Sequence, residues 1–177
     1  GSTPDIPSIP GLDGNNEFVL STDIASAKAL EKVINKYQSV AVVGASSLAL
    51  EMVSIAKAKG YSKIYLLGRS GIFIRNSLDE DMSEIVKEIL RENGIELILP
   101  AKINSIKTKN GKKTLVLPDG ELEVDFVFFG TSSTPNVEVA RRAGLEIGKT
   151  GAIVVNRYLQ TSDPDIYAVG DCMENWD

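Results

Sequence analysis

Apolar residues recur along the chain in two patterns, one typical of buried strands and one typical of amphipathic helices. Short apolar runs rich in β-branched residues predict buried parallel strands at Ser39–Val43, Lys63–Leu67 and Ile95–Leu99. Apolar residues spaced three or four positions apart predict helices at Ile24–Lys36, Ser47–Lys59 and Ser83–Asn93. Because helices alternate with strands, we expect right-handed crossovers and a parallel sheet.

The pattern changes after the third strand. Three more short strands are predicted at Ile103–Lys107, Thr114–Leu117 and Glu123–Phe129. Asn110-Gly111 and Asp119-Gly120 separate them, and such dipeptides are strong hairpin signals. These strands are therefore expected to form an antiparallel meander.

The rest of the chain predicts a short helix at Val137–Ala143 and a last buried strand at Ile166–Val169. No internal repeat interrupts this order. The predicted fold class is α/β, a doubly wound parallel sheet with an antiparallel three-strand β-meander.

Composition restricts the chemistry. The 177 residues include 19 Lys plus Arg and 24 Asp plus Glu, a net charge of −5. This mild acidity argues against a nucleic-acid partner, since phosphate binding needs a basic excess. With no histidine and with Cys172 as the single cysteine, the sequence excludes His-based metal sites, Ser-His or Cys-His nucleophile pairs and an internal disulfide. We expect no metal and no catalytic side chain.

The N-terminal region is expected to lie outside the folded domain. Gly1-Ser2 matches the remnant of a removed purification tag, and proline-rich residues 1–16 predict an extended lead-in. Residues 17–170 then form the predicted domain. No apolar run approaches the ~18 residues that span a bilayer. No signal peptide is recognisable, so we expect a cytoplasmic protein without a membrane partner.

The most informative segment follows the first strand and reads Gly44-Ala45-Ser46-Ser47-Leu48-Ala49. A Rossmann-like dinucleotide fold needs a strand, a tight turn and a helix whose N-terminal amides face a pyrophosphate, usually with the pattern G-x-G-x-x-G or G-x-G-x-x-A. Gly44 can make the turn, and Ala49 is small enough for close helix–strand packing. Ser46 replaces the second glycine, so its side chain either narrows the phosphate approach or donates its hydroxyl to a phosphate. The alternative is a turn that binds no ligand.

The end of the second strand distinguishes the two nicotinamide cofactors. An NAD site places an acidic residue there, whereas an NADP site prefers arginine near the 2′-phosphate. The sequence has Arg69 and Ser70 at this place and Arg75 six residues after Arg69, with no acid. Charge-assisted bonds from two guanidinium groups and a serine favour NADPH. The alternative is a pair of solvated loop arginines.

The chain also resembles the NAD(P)H-binding domain of the FAD-dependent pyridine nucleotide-disulfide oxidoreductases, a group that includes NADH oxidases, coenzyme A-disulfide reductases and nitrite- and rubredoxin-reductase-like proteins. The similar segments are Ile9-Pro10-Gly11, Val42–Met52, Leu78–Met82, Phe129–Asn136, Thr150–Val155 and Gln160–Asp171. The last two are the most specific, and the resemblance covers nearly the whole chain.

The resemblance implies where a dinucleotide and a flavin would be bound. The cofactor-binding residues it assigns, together with the phosphate-binding positions above, are Gly44, Ala45, Ser46, Ser47, Leu48, Glu51, Arg69, Ser70, Arg75, Gly130, Thr131, Ser132 and Asp171. Within this set, Glu51 would lie near the nicotinamide, and Asp171 would bond the ribityl chain of FAD. Residues 171–177 would begin the return to a FAD domain that the chain lacks. We therefore expect an excised NAD(P)H domain whose parent protein passes hydride to FAD and on to a disulfide, oxygen or a carrier protein.

A second hypothesis remains open. Ser46 and Ser132 stand where the family has glycine, and both glycines there allow the backbone to approach the dinucleotide closely. The chain could instead be a non-catalytic binding or regulatory module of the same fold whose nucleotide site has decayed.

Overall fold

The computed structural model describes residues 1–21, 23–73 and 78–175. These residues divide into two compact units. The sheet unit is Ile6–Ser132, and the terminal unit combines Gly1–Asp5 with the chain from Ser133 onward.

The elements are numbered in chain order through both units. The helices are α1 (Ile24–Lys36), α2 (Ser47–Ala58), α3 (Glu80–Glu92) and α4 (Glu138–Arg142). The strands are β1 (Ser2–Pro4), β2 (Glu17–Phe18), β3 (Ser39–Val43), β4 (Lys63–Leu67), β5 (Glu96–Ile98), β6 (Ser105–Lys109), β7 (Lys112–Leu117), β8 (Gly120–Val124), β9 (Phe126–Phe129), β10 (Ser133–Pro135), β11 (Ile153–Val154) and β12 (Met173–Glu174). Within the described ranges, none of the helices combines the length and apolar character that a membrane crossing requires.

The sheet unit is built on five parallel strands in the order β2-β9-β3-β4-β5. The steps from β2 to β3, β4 and β5 all move in one direction across the sheet. Right-handed crossovers therefore place α1, α2 and α3 on one face. The return from β5 to β9 moves the opposite way, so its connection, which carries the meander, covers the other face.

The two faces have separate apolar cores. Val42 and Leu66 lie in the cluster that contains the helical residues Leu30 and Met52. The adjacent residues in the same parallel strands face the opposite side of the sheet. There they pack with Ile106, Leu115 and Val124 of the meander strands β6, β7 and β8. This arrangement confirms the predicted fold class, a parallel sheet with helices and an antiparallel three-strand meander.

The third meander strand differs from its prediction. The run Glu123–Phe129 is split, because β8 ends at Val124 and β9 begins at Phe126. Between them, the Asp125 carboxylate accepts hydrogen bonds from the backbone N–H of Gln38 and from the backbone N–H and hydroxyl of Ser39. These bonds fix the chain where it leaves the meander and enters the parallel sheet.

The terminal unit has a small core of its own. Strands β1 and β10 pair antiparallel, β11 and β12 pair parallel, and Ala140, Ile153 and Val155 are buried together. The predicted short helix is present as α4. The predicted buried strand Ile166–Val169 is wrong, because Tyr167 and Val169 are more than half exposed and only an isolated bridge joins Tyr167 to Gln160.

Candidate functional site

The candidate site lies in the sheet unit, at the carboxyl end of β3. Gly44 follows this strand with φ 141°, a conformation that favours glycine. Its N–H donates to the carbonyl of Leu67 at 2.8 Å. A Cβ atom on Gly44 would lie 2.0 Å from the carbonyl oxygen of Gly130. The tight turn predicted from the sequence therefore needs glycine for its backbone angle and for its close approach to a neighbouring segment.

Ser46 begins helix α2 as its N-cap residue. Its hydroxyl oxygen accepts a hydrogen bond from the backbone N–H of Ala49 at 3.2 Å, as N-cap serines commonly do. The same hydroxyl donates its hydrogen to the carbonyl oxygen of Gly130 at 2.6 Å. The serine side chain thus joins the helix start to the segment that follows β9.

The first turn of α2 is suited to an anion. Ser47 is exposed and Leu48 is half-buried, and the turn contains no acidic residue. The backbone amides of a first helical turn have no partner within the helix, and the helix dipole is positive at this end. A phosphate group is the kind of ligand that such a helix start accepts.

Gly130 packs directly against this helix start. A Cβ atom on Gly130 would lie 2.8 Å from both Cα and Cβ of Ala49, which is fully buried. The N–H of Gly130 donates to the carbonyl of Val43 at 2.9 Å. Thr131 is half-buried and Ser132 is exposed. The structure therefore brings the predicted residues Gly44–Leu48 and Gly130–Ser132 together at one edge of the sheet.

The residues predicted to bind the 2′-phosphate of NADPH follow the neighbouring strand β4. The side chain of Arg69 is exposed, and the Ser70 hydroxyl donates to the carbonyl of Ile72 at 3.2 Å. Because β3 and β4 are parallel neighbours, their carboxyl ends lie at the same edge of the sheet. Arg75 lies outside the described residues.

Gly68 belongs to this edge and is missing from the predicted set. A Cβ atom there would lie 3.3 Å from the Cβ of Ala45 and 2.7 Å from a methyl group of Leu99. Its carbonyl accepts a hydrogen bond from the N–H of Ala101 at 2.7 Å. The available signal was its position directly after a buried strand, where ligand-contacting turns occur.

Two predicted residues lie apart from this turn along the chain. Glu51 is exposed on α2, one turn beyond the helix start. Asp171 belongs to the terminal unit, where it is exposed and its carboxylate accepts a hydrogen bond from the Ser2 hydroxyl at 3.3 Å.

Comparison with known proteins identifies the family. The profile of the pyridine nucleotide-disulphide oxidoreductases matches residues 1–177. The chain belongs to this family. An NADH oxidase of Methanocaldococcus jannaschii is 41% identical over 177 residues, and a CoA-dependent NAD(P)H sulfur oxidoreductase of Pyrococcus furiosus is 36% identical over the same length. Each match covers 98% of this chain and 39% of the relative, so the chain spans about two fifths of their length.

Solved structures of pyridine nucleotide-disulphide oxidoreductases share the fold. An engineered water-forming NADPH oxidase, bound to NADPH, aligns with a TM-score of 0.89 and 26% identity over 98% of this chain and 38% of its own. It carries five substitutions relative to the water-forming NADH oxidase of Lactobacillus brevis. This agreement supports a Rossmann-like fold of the flavoprotein reductase type.

Proposed function

We propose that residues 17–170 are an NAD(P)H-binding domain, with NADPH preferred, and that the chain is an excised part of a flavoprotein oxidoreductase. In that protein, hydride passes from NAD(P)H to FAD and on to a disulfide, oxygen or a carrier protein. The turn from Gly44 into α2, at the carboxyl end of a central parallel strand, carries the proposal. Gly44 has the backbone angle that the tight turn needs, and the first helical turn of α2 contains no acidic residue. Both features fit the binding of a pyrophosphate.

The pyrophosphate is assigned to Gly44–Leu48. The amides at the start of α2 supply hydrogen-bond donors, and the helix dipole adds a favourable field. The Ser46 hydroxyl turns toward Gly130 and Ala49, so it is engaged within the protein at the position where the family has its second glycine. Because the side chain is directed toward these protein groups, its orientation supports the proposal that the turn still accepts a phosphate group.

The preference for NADPH rests on the residues after β4. The engineered NADPH oxidase carries alanine in place of aspartate, then arginine and serine at the next two positions, and another arginine five positions after that serine. This chain has Gly68, Arg69 and Ser70 in succession and Arg75 five positions after Ser70. Arg75 enters by sequence position alone. Guanidinium groups bind a 2′-phosphate through charge-assisted hydrogen bonds, which supports the same preference here.

The nicotinamide half is assigned to the segment Gly130–Ser132 and, by resemblance, to Glu51. The nicotinamide supplies the hydride and FAD receives it, while the residues of this chain bind and orient the dinucleotide. By resemblance, Asp171 would hold the ribityl chain of FAD, and its exposed carboxylate is compatible with that role. Because the hydride acceptor belongs to the FAD domain, we expect this chain alone to show no turnover.

Calorimetric titration of the purified chain with NADPH and, separately, NADH tests the proposal. We expect micromolar NADPH binding that is at least about tenfold tighter than NADH binding, a difference of about 1.4 kcal/mol. Binding of neither ligand would overturn the proposal and favour the second candidate, a non-catalytic module with a decayed site. Ser46 and Ser132, which replace family glycines, favour that candidate, and it predicts that Ser46→Gly with Ser132→Gly restores affinity.

A further inference from the structure

The Ser46 hydroxyl has a single hydrogen, and the carbonyl oxygen of Gly130 receives it at 2.6 Å. One lone pair of the same oxygen accepts the N–H of Ala49 at 3.2 Å. With its hydrogen committed in this way, the hydroxyl has none to donate to a phosphate oxygen. The sequence alone left that role open.

The acceptor of this bond packs directly against the turn Gly44–Leu48, the phosphate turn. The carbonyl oxygen of Gly130 approaches so close to Gly44 that a Cβ atom there would be 2.0 Å away. Gly130 is buried, and it is held on its other side by the hydrogen bond from its N–H to Val43. The Ser46–Gly130 hydrogen bond therefore fixes the spacing between the helix start and the chain that continues into Thr131 and Ser132.

We propose that Ser46 is a positioning residue that holds Gly130–Ser132 at a fixed distance from the phosphate turn, and so preorganises the site for both halves of the dinucleotide at once. This inference rests on the proposed function, which assigns the phosphate turn to the pyrophosphate and Gly130–Ser132 to the nicotinamide half of NADPH. Preorganisation reduces the ordering cost of binding. Loss of the hydroxyl should therefore weaken binding of the whole dinucleotide more than binding of its adenosine half.

Two ligands and two variants at this position test the proposal by calorimetry. The ligands are NADPH and 2′,5′-ADP, which carries only the adenosine half with its two phosphates. Ser46→Ala is expected to weaken NADPH binding about tenfold, as for one lost hydrogen bond, and to change 2′,5′-ADP binding by less than about twofold. Ser46→Thr retains a hydroxyl and is expected to restore NADPH affinity.

Because Ser46→Ala also removes a helix cap, a second cap serves as the control. Asp23 caps α1 by accepting a hydrogen bond from the N–H of Ser26 at 2.8 Å. Asp23→Ala should destabilise the fold to a similar degree and leave both affinities unchanged. Urea unfolding of each variant confirms that the chain is folded under the titration conditions.

The outcomes separate this proposal from the proposed function. If the wild-type chain binds neither ligand, the proposed function fails, and the positioning role fails with it. If the wild-type chain binds NADPH but Ser46→Ala binds it equally well, or loses both ligands equally, only the positioning role is overturned. Tighter NADPH binding by Ser46→Gly would also overturn it, since the serine would then obstruct the site.

Discussion

Gly130 and Ala49 are packed so closely that Gly130 has no room for a side chain. A Cβ atom on Gly130 would lie 2.8 Å from the Cα and Cβ of Ala49, and both contacts involve atoms held by helix α2. Gly130→Ala is expected to lower the free energy of unfolding by about 1–3 kcal/mol, because an overpacked methyl group must displace the helix start or β9. Urea denaturation measures this loss.

Gly71→Ala is the matched control for that variant. The nearest atom to a Cβ on Gly71 is the flexible Lys87 Nζ at 3.7 Å. This substitution is expected to leave stability unchanged or to raise it slightly, since alanine restricts the unfolded chain. Equal stabilities of Gly130→Ala and Gly71→Ala would contradict the close packing.

Lys113 provides a second prediction, because its ammonium group is buried among acceptors. Its side chain is fully buried and bonds Asp13 and Glu17 at 2.6 Å each and the Thr108 hydroxyl at 2.7 Å. Lys113→Met leaves the carboxylate of Glu17, 6% exposed, without its cationic partner. We expect a loss of about 3–5 kcal/mol in unfolding free energy, as when a buried ion pair is broken.

The neighbouring lysine is the control for this effect. Lys112 pairs with Glu123 at 3.0 Å, but both side chains are at least half exposed. Lys112→Met removes the same charge from the same strand and should cost less than about 1 kcal/mol. Similar losses for the two variants, measured by urea unfolding, would show that burial does not set the strength of the Lys113 cluster.

The best predictions from sequence concern segments whose pattern is local. Strands β3 and β4 and helix α1 begin and end at the predicted residues. Their apolar runs or regular helical spacing lie entirely within the segment, so no distant residue is needed to predict them. The Asn110-Gly111 turn also follows its prediction, with φ values of 52° and 76°. In contrast, the split at Asp125 depends on Gln38 and Ser39, which are more than 80 positions away. No local spacing reveals such a partner.

The candidate site shows the same limit. The glycine turn was predictable, because its strand–turn–helix order lies within one short segment. The role of Ser46 was left with two alternatives, since its partner Gly130 is 84 residues away in the sequence. Only the structure shows where the hydroxyl hydrogen goes.

Asp125 should make stability depend on pH. Burial raises the pKa of its carboxyl group, but hydrogen bonds from Gln38 and Ser39 outweigh burial and hold the pKa below its usual value. A carboxyl pKa that is lowered in the folded state adds stability above the unfolded value, about pH 4, and this stability is lost as the pH falls through the folded value. The wild-type chain should therefore lose stability as the pH is lowered from about 5 to 3.

Asp125→Asn isolates this contribution. The hydrogen bond from Lys113 lowers the pKa of Asp13, and that acid dependence is common to both proteins. The difference between wild type and variant therefore reports Asp125. We expect the variant to be less stable at about pH 7 and the difference to shrink toward about pH 3, as measured by urea unfolding at each pH. A difference in unfolding free energy that stays constant with pH would exclude a lowered pKa for the Asp125 carboxyl group.

Arg69 should decide which nicotinamide cofactor the chain prefers. Its side chain is exposed at the end of β4, beside the phosphate turn, and so is available to a ligand. Arg69→Ala is expected to weaken NADPH binding about 10- to 100-fold, the range for a lost charge-assisted hydrogen bond, and to leave NADH binding unchanged. Arg91→Ala, which removes the same charge from the exposed end of α3, should alter neither affinity. Calorimetry with both ligands measures all three proteins, and an equal loss of NADH and NADPH affinity in Arg69→Ala would mean that the arginine does not recognise the 2′-phosphate.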